Sequence, residues 1–398
     1  MKENEQSQVE FDTSDVDNWV GVPIGGGRAR YAITESDIAR WVQAMHNPNP
    51  LYIRPEFAAE SRFGRIVAPQ SFTIAAGDGH GATPAIQGHV TGTHMLFGGD
   101  EWWFYGPRLF PEDKLSTDGM LFDYKVTHTK FAGPTMFSRG DTNYVNQRGE
   151  FIAKQRSTSI RYRADEARRL DSFKEDKEPV EWTNEEIEEV EQQRLAYVST
   201  LLDDHAPRKF ESVNVSDKLP RRVLGPHSIA TFTTEHRSRP SQVWGSRVRG
   251  ARGRSSLWNA GWLPEMTTDH QKSAVDPEMG DGLYYGPSRG HVQAKYAQLI
   301  GMPREYGYGS SMGGWVLDYI ENWVGEWGEI VHCMMQYRNP AFAGDVTYLD
   351  GTVREAKRDP ATNQNLVTVH VNMSNQKGAV LARGFVEVEL IDPASAES

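Results

Sequence analysis

An internal repeat constrains the fold of this chain more than any other feature of its sequence. Each half of the 398 residues ends on strand-like segments that flank a short polar turn, 146–149 (NQRG) in the first half and 375–378 (NQKG) in the second. Because glycine accepts positive φ angles, this turn chemistry is typical of a β-hairpin. An aspartate that follows a proline lies upstream of each turn, Asp113 in the first half and Asp345 in the second, over similar lengths of chain.

A third match lies further upstream in each half. Segment 52–58 (YIRPEFA) resembles segment 291–297 (HVQAKYA), and a glycine follows each of them. The first residues of these segments, Tyr52 and His291, are therefore equivalent. Three matches in the same order, at similar spacings, predict two copies of one fold.

Each copy begins with a helix and an irregular stretch rich in glycine and proline, and several strands follow. The predicted strands are 121–126, 142–145 and 151–161 in the first half, then 330–337, 346–353, 366–373 and 380–390 in the second. Their mixed alternation of apolar and polar residues is typical of half-buried antiparallel strands. One helix against a curved antiparallel sheet, occurring twice, predicts an α+β fold in which the two sheets join edge to edge.

A charged segment that is nearly free of glycine separates the two copies. Within it, Thr183 and Glu186 have the spacing of a capping box, and apolar residues follow at helical intervals. This pattern predicts an amphipathic helix over about 183–203, with its glutamates on a solvated face. The predicted division is an N-terminal domain at 1–164, a helical linker at 165–222 and a C-terminal domain at 223–398.

Composition narrows the class of protein. A single cysteine, Cys333, cannot form an internal disulfide and fits a reducing compartment. The N-terminus is polar and acidic, no apolar run is long enough to cross a membrane, and the formal net charge is −11. These features argue against secretion, membrane insertion and nucleic-acid binding. With 16 Phe, 15 Tyr and 11 Trp to bury, the chain is expected to be a globular cytoplasmic protein that acts on a small molecule.

Several short motifs occur in an order that resembles one family. They are 44–52 (AMHNPNPLY), 66–72 (IVAPQSF), 291–297 (HVQAKYA), 301–303 (GMP) and 339–345 (NPAFAGD). In this order they resemble the MaoC-like dehydratases and (R)-specific enoyl-CoA hydratases, in their fused form with an N-terminal MaoC dehydratase domain. The resemblance covers nearly all of the chain except the linker and the tails. It implies a double-hotdog fold, in which each copy is a central helix wrapped by an antiparallel sheet.

The resemblance also implies a reaction. Water is added to a 2-enoyl thioester, or removed from a 3-hydroxyacyl thioester, with coenzyme A or acyl carrier protein as the carrier and no separate cofactor. In the family an aspartate and a histidine five residues apart transfer the protons, and the amide of a glycine further along the chain binds the enolate oxygen. In the second half His291 and Gly309 match the histidine and the glycine of this pattern, whereas Gly286 stands at the aspartate position.

The first half departs further from the family pattern. Tyr52 stands at the histidine position and Asn47 at the aspartate position, so this half is expected to contact substrate and shape the acyl pocket without transferring protons. In the second half, two acids are candidate partners of His291. Asp281 lies in a glycine-rich loop, where the alternative interpretation is a turn residue. Asp318 lies in an apolar segment, where the alternative is a solvent-facing helix or strand position.

Two further sets of side chains are predicted to contact substrate. Tyr284 and Tyr285 can donate hydrogen bonds to water, or pack in the core. Six arginines and no acidic residue lie between 236 and 264, which suits the phosphates of coenzyme A and equally a surface loop that balances local acids. Arg247 and Arg249 are the predicted phosphate contacts. Because no ligand spacing such as HxxxH is present, the sequence assigns no metal.

The sequence therefore predicts a hydro-lyase that acts on a 2-enoyl-CoA. Its many Trp and Tyr residues suggest a bulky or aromatic acyl group. Two other functions remain open: a hotdog acyl-CoA thioesterase, and a non-catalytic acyl-CoA-binding subunit of a heteromeric hydratase. The assembly is expected to be a homodimer, or a heteromer with a related hotdog subunit.

Overall fold

A computed structural model describes residues 11–29, 31–77, 82–201, 204–240, 247–248 and 288–396. Within these ranges the strands form one sheet, and they are β1 (Pro23–Ile24), β2 (Arg28–Ala29), β3 (Thr93–Phe104), β4 (Leu115–Thr129), β5 (Gly133–Asn146), β6 (Phe151–Arg163), β7 (Arg222–Leu224), β8 (Arg247–Val248), β9 (Gly328–Tyr337), β10 (Thr347–Arg358), β11 (Asn365–Asn375) and β12 (Val380–Leu390). The α-helices of the same ranges are α1 (Ser14–Asp17), α2 (Glu35–Ala44), α3 (Pro55–Glu60), α4 (Thr73–Ala76), α5 (Ala164–Leu170), α6 (Asn184–Val198), α7 (Ile229–Arg237), α8 (Ala294–Leu299), α9 (Gly309–Val324) and α10 (Pro393–Ala396).

The sheet consists mainly of two four-stranded units with the same strand order. The first unit has the order β3-β6-β5-β4 and the second has the order β9-β12-β11-β10, with every neighbouring pair antiparallel. The units join where β3 pairs with β9, from Gly99 opposite Gln336 to Trp103 opposite His332. The predicted α+β arrangement, with two copies joined edge to edge, is confirmed. The joint also removes one exposed edge from each unit.

The two polar turns make the same hydrogen bonds, which extends the repeat to atomic detail. Asn146 Oδ1 accepts from the backbone amides of Arg148 and Glu150, at 3.0 Å each. Asn375 Oδ1 accepts from the equivalent amides, at 3.1 and 3.0 Å. The glutamine after each asparagine donates to an aspartate, Asp113 or Asp345, at 3.0 Å in both cases. The turns therefore anchor each hairpin to the chain that enters its unit.

Replacement of either turn asparagine by alanine is expected to lower the free energy of unfolding by about 1–2 kcal/mol, because two backbone amides lose their acceptor. Asn146→Ala and Asn375→Ala should have similar effects, since their hydrogen bonds are equivalent. Asn372→Ala, at an exposed strand position near the second turn, is the control and should change stability by less than about 0.5 kcal/mol. Denaturant unfolding measures all three variants, and unchanged midpoints for the two turn variants would contradict the prediction.

The central helix of the second unit is α9, which lies against β3, β9 and β12. It is buried at nearly every one of its 16 residues, so it is a core helix on all sides. It begins at Gly309, directly after Tyr308, and ends before Gly325, whose φ of +73° suits glycine. In the first unit the equivalent segment is short: a 3-10 turn at Gln70–Phe72 leads into the four residues of α4.

Two 3-10 helices position the equivalent residues Tyr52 and His291. Pro50–Tyr52 is followed by α3, and Arg289–His291 is followed by α8. The central helical segments then begin at Gln70 and at Gly309, which are equally far along the chain from Tyr52 and from His291. The two residues therefore stand at the same place relative to the central segment of their own unit.

The predicted linker helix is α6, which is slightly shorter than expected. Its capping box is present, because Thr183 Oγ1 accepts from the Glu186 amide and the Glu186 carboxylate accepts from the Thr183 amide. Val190 and Tyr197 are buried, whereas Ile187 is exposed, so the apolar face is narrower than the sequence suggests. This helix packs against β7 at the edge of the second unit.

Among the helices of the described ranges, none combines the length and the apolar composition that crossing a bilayer requires. In the same ranges, no group of three or more His, Cys, Asp or Glu side chains is placed to hold a metal ion.

Candidate active site at the N-terminus of the central helix

His291 lies at the end of its 3-10 helix, with one ring nitrogen fixed by the backbone. Nδ1 is 2.7 Å from the carbonyl oxygen of Tyr306, which can only accept, so Nδ1 carries the proton and Nε2 holds a lone pair. The ring packs against those of Tyr306 and Tyr308, at centroid distances of 4.4 and 4.0 Å. Burial lowers the pKa of His291 to about 3. The imidazole is therefore neutral near pH 7 and can act as a base.

Gly309 is the first residue of α9. A Cβ at this position would lie 2.9 Å from Cβ of Phe97, so the close approach of β3 favours glycine. Helices α2, α6 and α7 each have a capping box, whereas α9 has no side-chain cap. The first backbone amides of α9 lie at the positive end of the helix dipole. They follow directly after Tyr308, whose ring contacts His291. Such amides can stabilise negative charge that develops on a substrate oxygen.

Polar side chains from α7 and the residues after it surround the same N-terminus. Arg239 is fully buried, and its Nη2 donates to Ser310 Oγ at 2.7 Å. The ring of His236 stacks on Tyr308 at a centroid distance of 5.9 Å. Arg239 belongs to the arginine-rich stretch, but its burial and its hydrogen bond to α9 make it part of the core. Its charge lies at the start of the central helix and not on the surface.

Glu235 is a fully buried acid on the same face of α7, beside Ser311 in the first turn of α9. Within the described part of the chain, neither of its carboxylate oxygens has a partner in good hydrogen-bond geometry. Burial raises the pKa of Glu235 to about 8, and the nearby Ser311 hydroxyl acts in the other direction. This carboxyl therefore keeps its proton near pH 7 and can donate it.

A second buried acid lies on the sheet side of α9. Asp100, on β3, accepts a hydrogen bond from Tyr337 Oη at 3.0 Å. A Cβ on Gly313 would lie 2.9 Å from Asp100 Oδ2, so the glycine lets this carboxyl approach the helix. Burial raises the pKa of Asp100 to about 6. Asp100 and Glu235 thus contact the first two turns of α9 from different sides.

In the first unit, the amide equivalent to that of Gly309 already donates to another side chain of the protein. This amide is that of Gln70, and it donates to both carboxylate oxygens of Glu321, at 3.0 Å each. Glu321 belongs to α9, and Arg108 pairs with it at 2.7 Å and with Glu329 at 3.0 Å. A protein carboxylate therefore already occupies the amide that is equivalent to the Gly309 amide.

Part of the chain matches a known family model and a curated protein. Residues 18–155 match the model described as the FAS1-like dehydratase domain region. The probable enoyl-CoA hydratase alpha subunit of Thermomonospora curvata is 28% identical over 159 aligned positions, and the match covers 36% of this chain and 50% of that protein. The chain thus spans about half the length of this relative.

Solved structures share the fold over nearly the whole chain. A MaoC-like dehydratase is 14% identical, with 95% of this chain and 100% of its own covered and a TM-score of 0.60. The resemblance to the MaoC-like dehydratases is confirmed. A putative MaoC domain protein dehydratase from Chloroflexus aurantiacus J-10-fl is 13% identical, with 94% of this chain and 97% of its own covered and a TM-score of 0.53. This shared fold, together with the two equivalent four-stranded units, confirms the predicted double-hotdog fold.

The predicted site residues occupy different places in the structure. The His291 ring contacts Tyr308, the residue directly before Gly309 at the start of α9. Tyr52 is buried in the first unit. Burial and the Glu321 carboxylate raise the pKa of its hydroxyl, whereas Arg108 acts to lower it. Arg247 lies in β8, which pairs with β2. The predicted residues that fall outside the described ranges are Arg249, Asp281, Tyr284 and Tyr285.

Asn47 lines a cavity of about 510 Å³ between the first unit and the edge of the second, together with residues of α2, α6 and β7. Its Oδ1 accepts from Asn322 Nδ2 at 3.1 Å. Asn322 lies near the far end of α9, about 20 Å along the helix from Gly309 at 1.5 Å per residue. Asn47 and Gly309 therefore lie near opposite ends of α9.

Asp318 is not brought to His291. It lies beyond the middle of α9, about 13–14 Å along the helix axis from Gly309. Its side chain is buried, not solvent-facing, and its Oδ1 accepts from Ser71 Oγ at 2.5 Å. Asp318 therefore links the central helix to the first unit.

Glu235 and Asp100 are buried acids beside the candidate site that the sequence motifs do not identify. Neither lies at the spacing the family uses for its aspartate. The register of β3 against β6 shifts between Phe97 and Gly99, directly before Asp100. The same strand also turns the carboxyl of Asp100 toward α9, which a local motif does not reveal.

Proposed function

We propose that this protein catalyses the reversible hydration of a 2-enoyl-CoA thioester, with His291 as the base and the Gly309 amide as the oxyanion donor. The observation that carries the proposal is the neutral His291 ring, with Nε2 unprotonated, beside the uncapped N-terminus of a buried helix. These two features supply a base and a site for negative charge within one short segment.

The reaction requires both features at once. His291 Nε2 removes a proton from water, and the resulting oxygen bonds to C3 of the enoyl group. As this bond forms, the π bond between C2 and C3 breaks, and electron density moves to the thioester oxygen, which accepts from the Gly309 amide. A proton delivered to C2 completes the addition. Dehydration follows the same steps in reverse.

The comparisons support the dehydratase and hydratase chemistry at the level of the family. The matched model is a dehydratase region, and the curated relative is described as an enoyl-CoA hydratase subunit. The finer assignments are part of the proposal: coenzyme A as carrier, a bulky or aromatic acyl group, and a cytoplasmic homodimer or heteromer with a related hotdog subunit.

The purified full-length chain should hydrate 2-enoyl-CoA substrates, and the loss of enoyl absorbance together with 3-hydroxyacyl-CoA formation measures it. Crotonyl-CoA and an aryl-enoyl-CoA are compared to test the acyl preference, with free thiol assayed in parallel. Hydration without thiol release is the expected result. Thiol release would instead select the thioesterase, and tight acyl-CoA binding without turnover would select the non-catalytic subunit.

A further inference from the structure

The two units of this chain provide an internal comparison of their first helices. Helix α2 follows the N-cap Thr34, and α7 follows the N-cap Ser228, each with a capping box. Counted from these caps, the buried positions coincide: the fourth position beyond the cap is Ile38 in one helix and Phe232 in the other. Positions seven, eight and eleven beyond the cap also face inward in both helices.

At these three positions the two helices differ in chemistry. In α2 and the residue after it they are Trp41, Val42 and Met45, all fully buried apolar side chains. In α7 and the residues after it they are Glu235, His236 and Arg239. Trp41 packs at the start of the first unit's central segment, where its Nε1 donates to Ser71. Glu235 packs at the start of α9, beside Ser311. The same position in the fold is therefore apolar in one unit and acidic in the other.

A buried carboxyl without good hydrogen bonds costs stability, and the first unit shows that an apolar side chain fills the position. Packing alone therefore does not account for Glu235. The acid stands in the unit that has His291, and it is missing from the unit whose central amide is already occupied by Glu321. The second unit, which has His291, also has glycine at position 286, where the family has its aspartate.

We infer that Glu235 is the catalytic acid that protonates C2 of the substrate. The inference rests on the proposed hydratase function. In the forward direction, His291 takes a proton from water as the hydroxyl bonds to C3, and the Glu235 carboxyl gives its proton to C2. The enzyme is left with a protonated His291 and an ionised Glu235. Transfer of one proton from His291 to Glu235, directly or through water, restores the starting state, so that one water is consumed per turnover.

Glu235→Gln keeps the shape of the side chain but removes its acidic proton. We expect kcat to fall by about 10²–10³-fold, with KM and the melting temperature little changed. Glu235→Ala should lose activity similarly and regain at least tenfold when formate is added, because a small carboxylic acid can occupy the space. A purely structural role would not give this rescue.

Asp318→Asn is the matched control, since it neutralises another buried acid next to the first unit, and its activity should stay within about threefold of wild type. His291→Asn is assayed beside these variants. An active Glu235→Gln with an inactive His291→Asn would overturn the inference while the proposed function stands. A Glu235→Ala loss that formate does not restore would also overturn it. An inactive wild-type protein would overturn both.

Discussion

His291→Asn is expected to lower kcat for enoyl-CoA hydration by about 10²–10⁴-fold, the range over which general acid–base groups contribute. The asparagine side-chain amide can still donate to the Tyr306 carbonyl, as Nδ1 does in the wild type, but it offers no basic nitrogen in place of Nε2. The substitution therefore removes the basic nitrogen while it keeps the hydrogen bond that holds the segment in place. Steady-state kinetics and a thermal melt of the same sample measure the two effects.

His332→Ala is the control for a histidine outside the site, because its ring pairs with Glu101 and stacks on Trp103. It should leave kcat within about twofold. If His291→Asn retains wild-type activity, His291 is not the base.

The pH dependence of wild-type activity gives a second test of His291. A base must be unprotonated to act, and burial lowers the pKa of His291 to about 3, below the ordinary value of 6.5. The active form is therefore fully populated at pH 7 and persists as the pH falls to 5. We expect no loss of kcat/KM centred near pH 6.5. A loss centred at that pH would mean that the base is an ordinary, solvated histidine.

Arg108→Met is expected to destabilise the protein by about 3–5 kcal/mol, because it leaves the buried carboxylate of Glu321 without its cation. The side chains of Arg108 and Glu321 are 9% and 2% exposed, and Arg108 also holds Glu329 and the carbonyl of Ala68. Denaturant unfolding of the variant measures the effect. Adding Glu321→Gln should recover much of the loss, since the remaining buried group is then neutral.

An exposed ion pair provides the matched control for Arg108. Arg139 pairs with Asp123, and the two side chains are 43% and 42% exposed. Exposed pairs contribute little because water screens them, so Arg139→Met should cost less than about 1 kcal/mol. Equal effects for the two arginines would show that the Arg108 pair does not behave as a buried one.

The hairpin turns and the position of His291 near the start of α9 could be predicted because both depend on short stretches of chain. A turn with asparagine and glycine needs only its own backbone and a few neighbouring groups. The segment from His291 to Gly309 is likewise short, and it contains only the end of a 3-10 helix, α8 and the start of α9. The same local chemistry occurs twice, which made the edge-to-edge pairing of two sheets the natural arrangement.

The carboxyl groups near the central helix could not be assigned in this way. Asp318 is nearer to His291 in sequence than Glu235 is, yet the helix carries it toward Ser71 of the other unit. Glu235 precedes His291 by a long stretch of chain, and only the packing of α7 against the start of α9 brings it to the site. Sequence separation is therefore a poor guide to distance here, because α9 is long and contacts both units.

By itself the sequence determined that the chain is a duplicated α+β fold, and it placed His291 and Gly309 of the second copy at positions that resemble the family pattern. The tertiary structure decided that the central amide of the first unit is already occupied. Glu321 of α9 accepts both from the Gln70 amide and from Arg108, so a side chain of the second unit's helix fills the central amide of the first unit. Such contacts are set by how the rigid helix α9 packs across the continuous sheet, and no local pattern of residues encodes them.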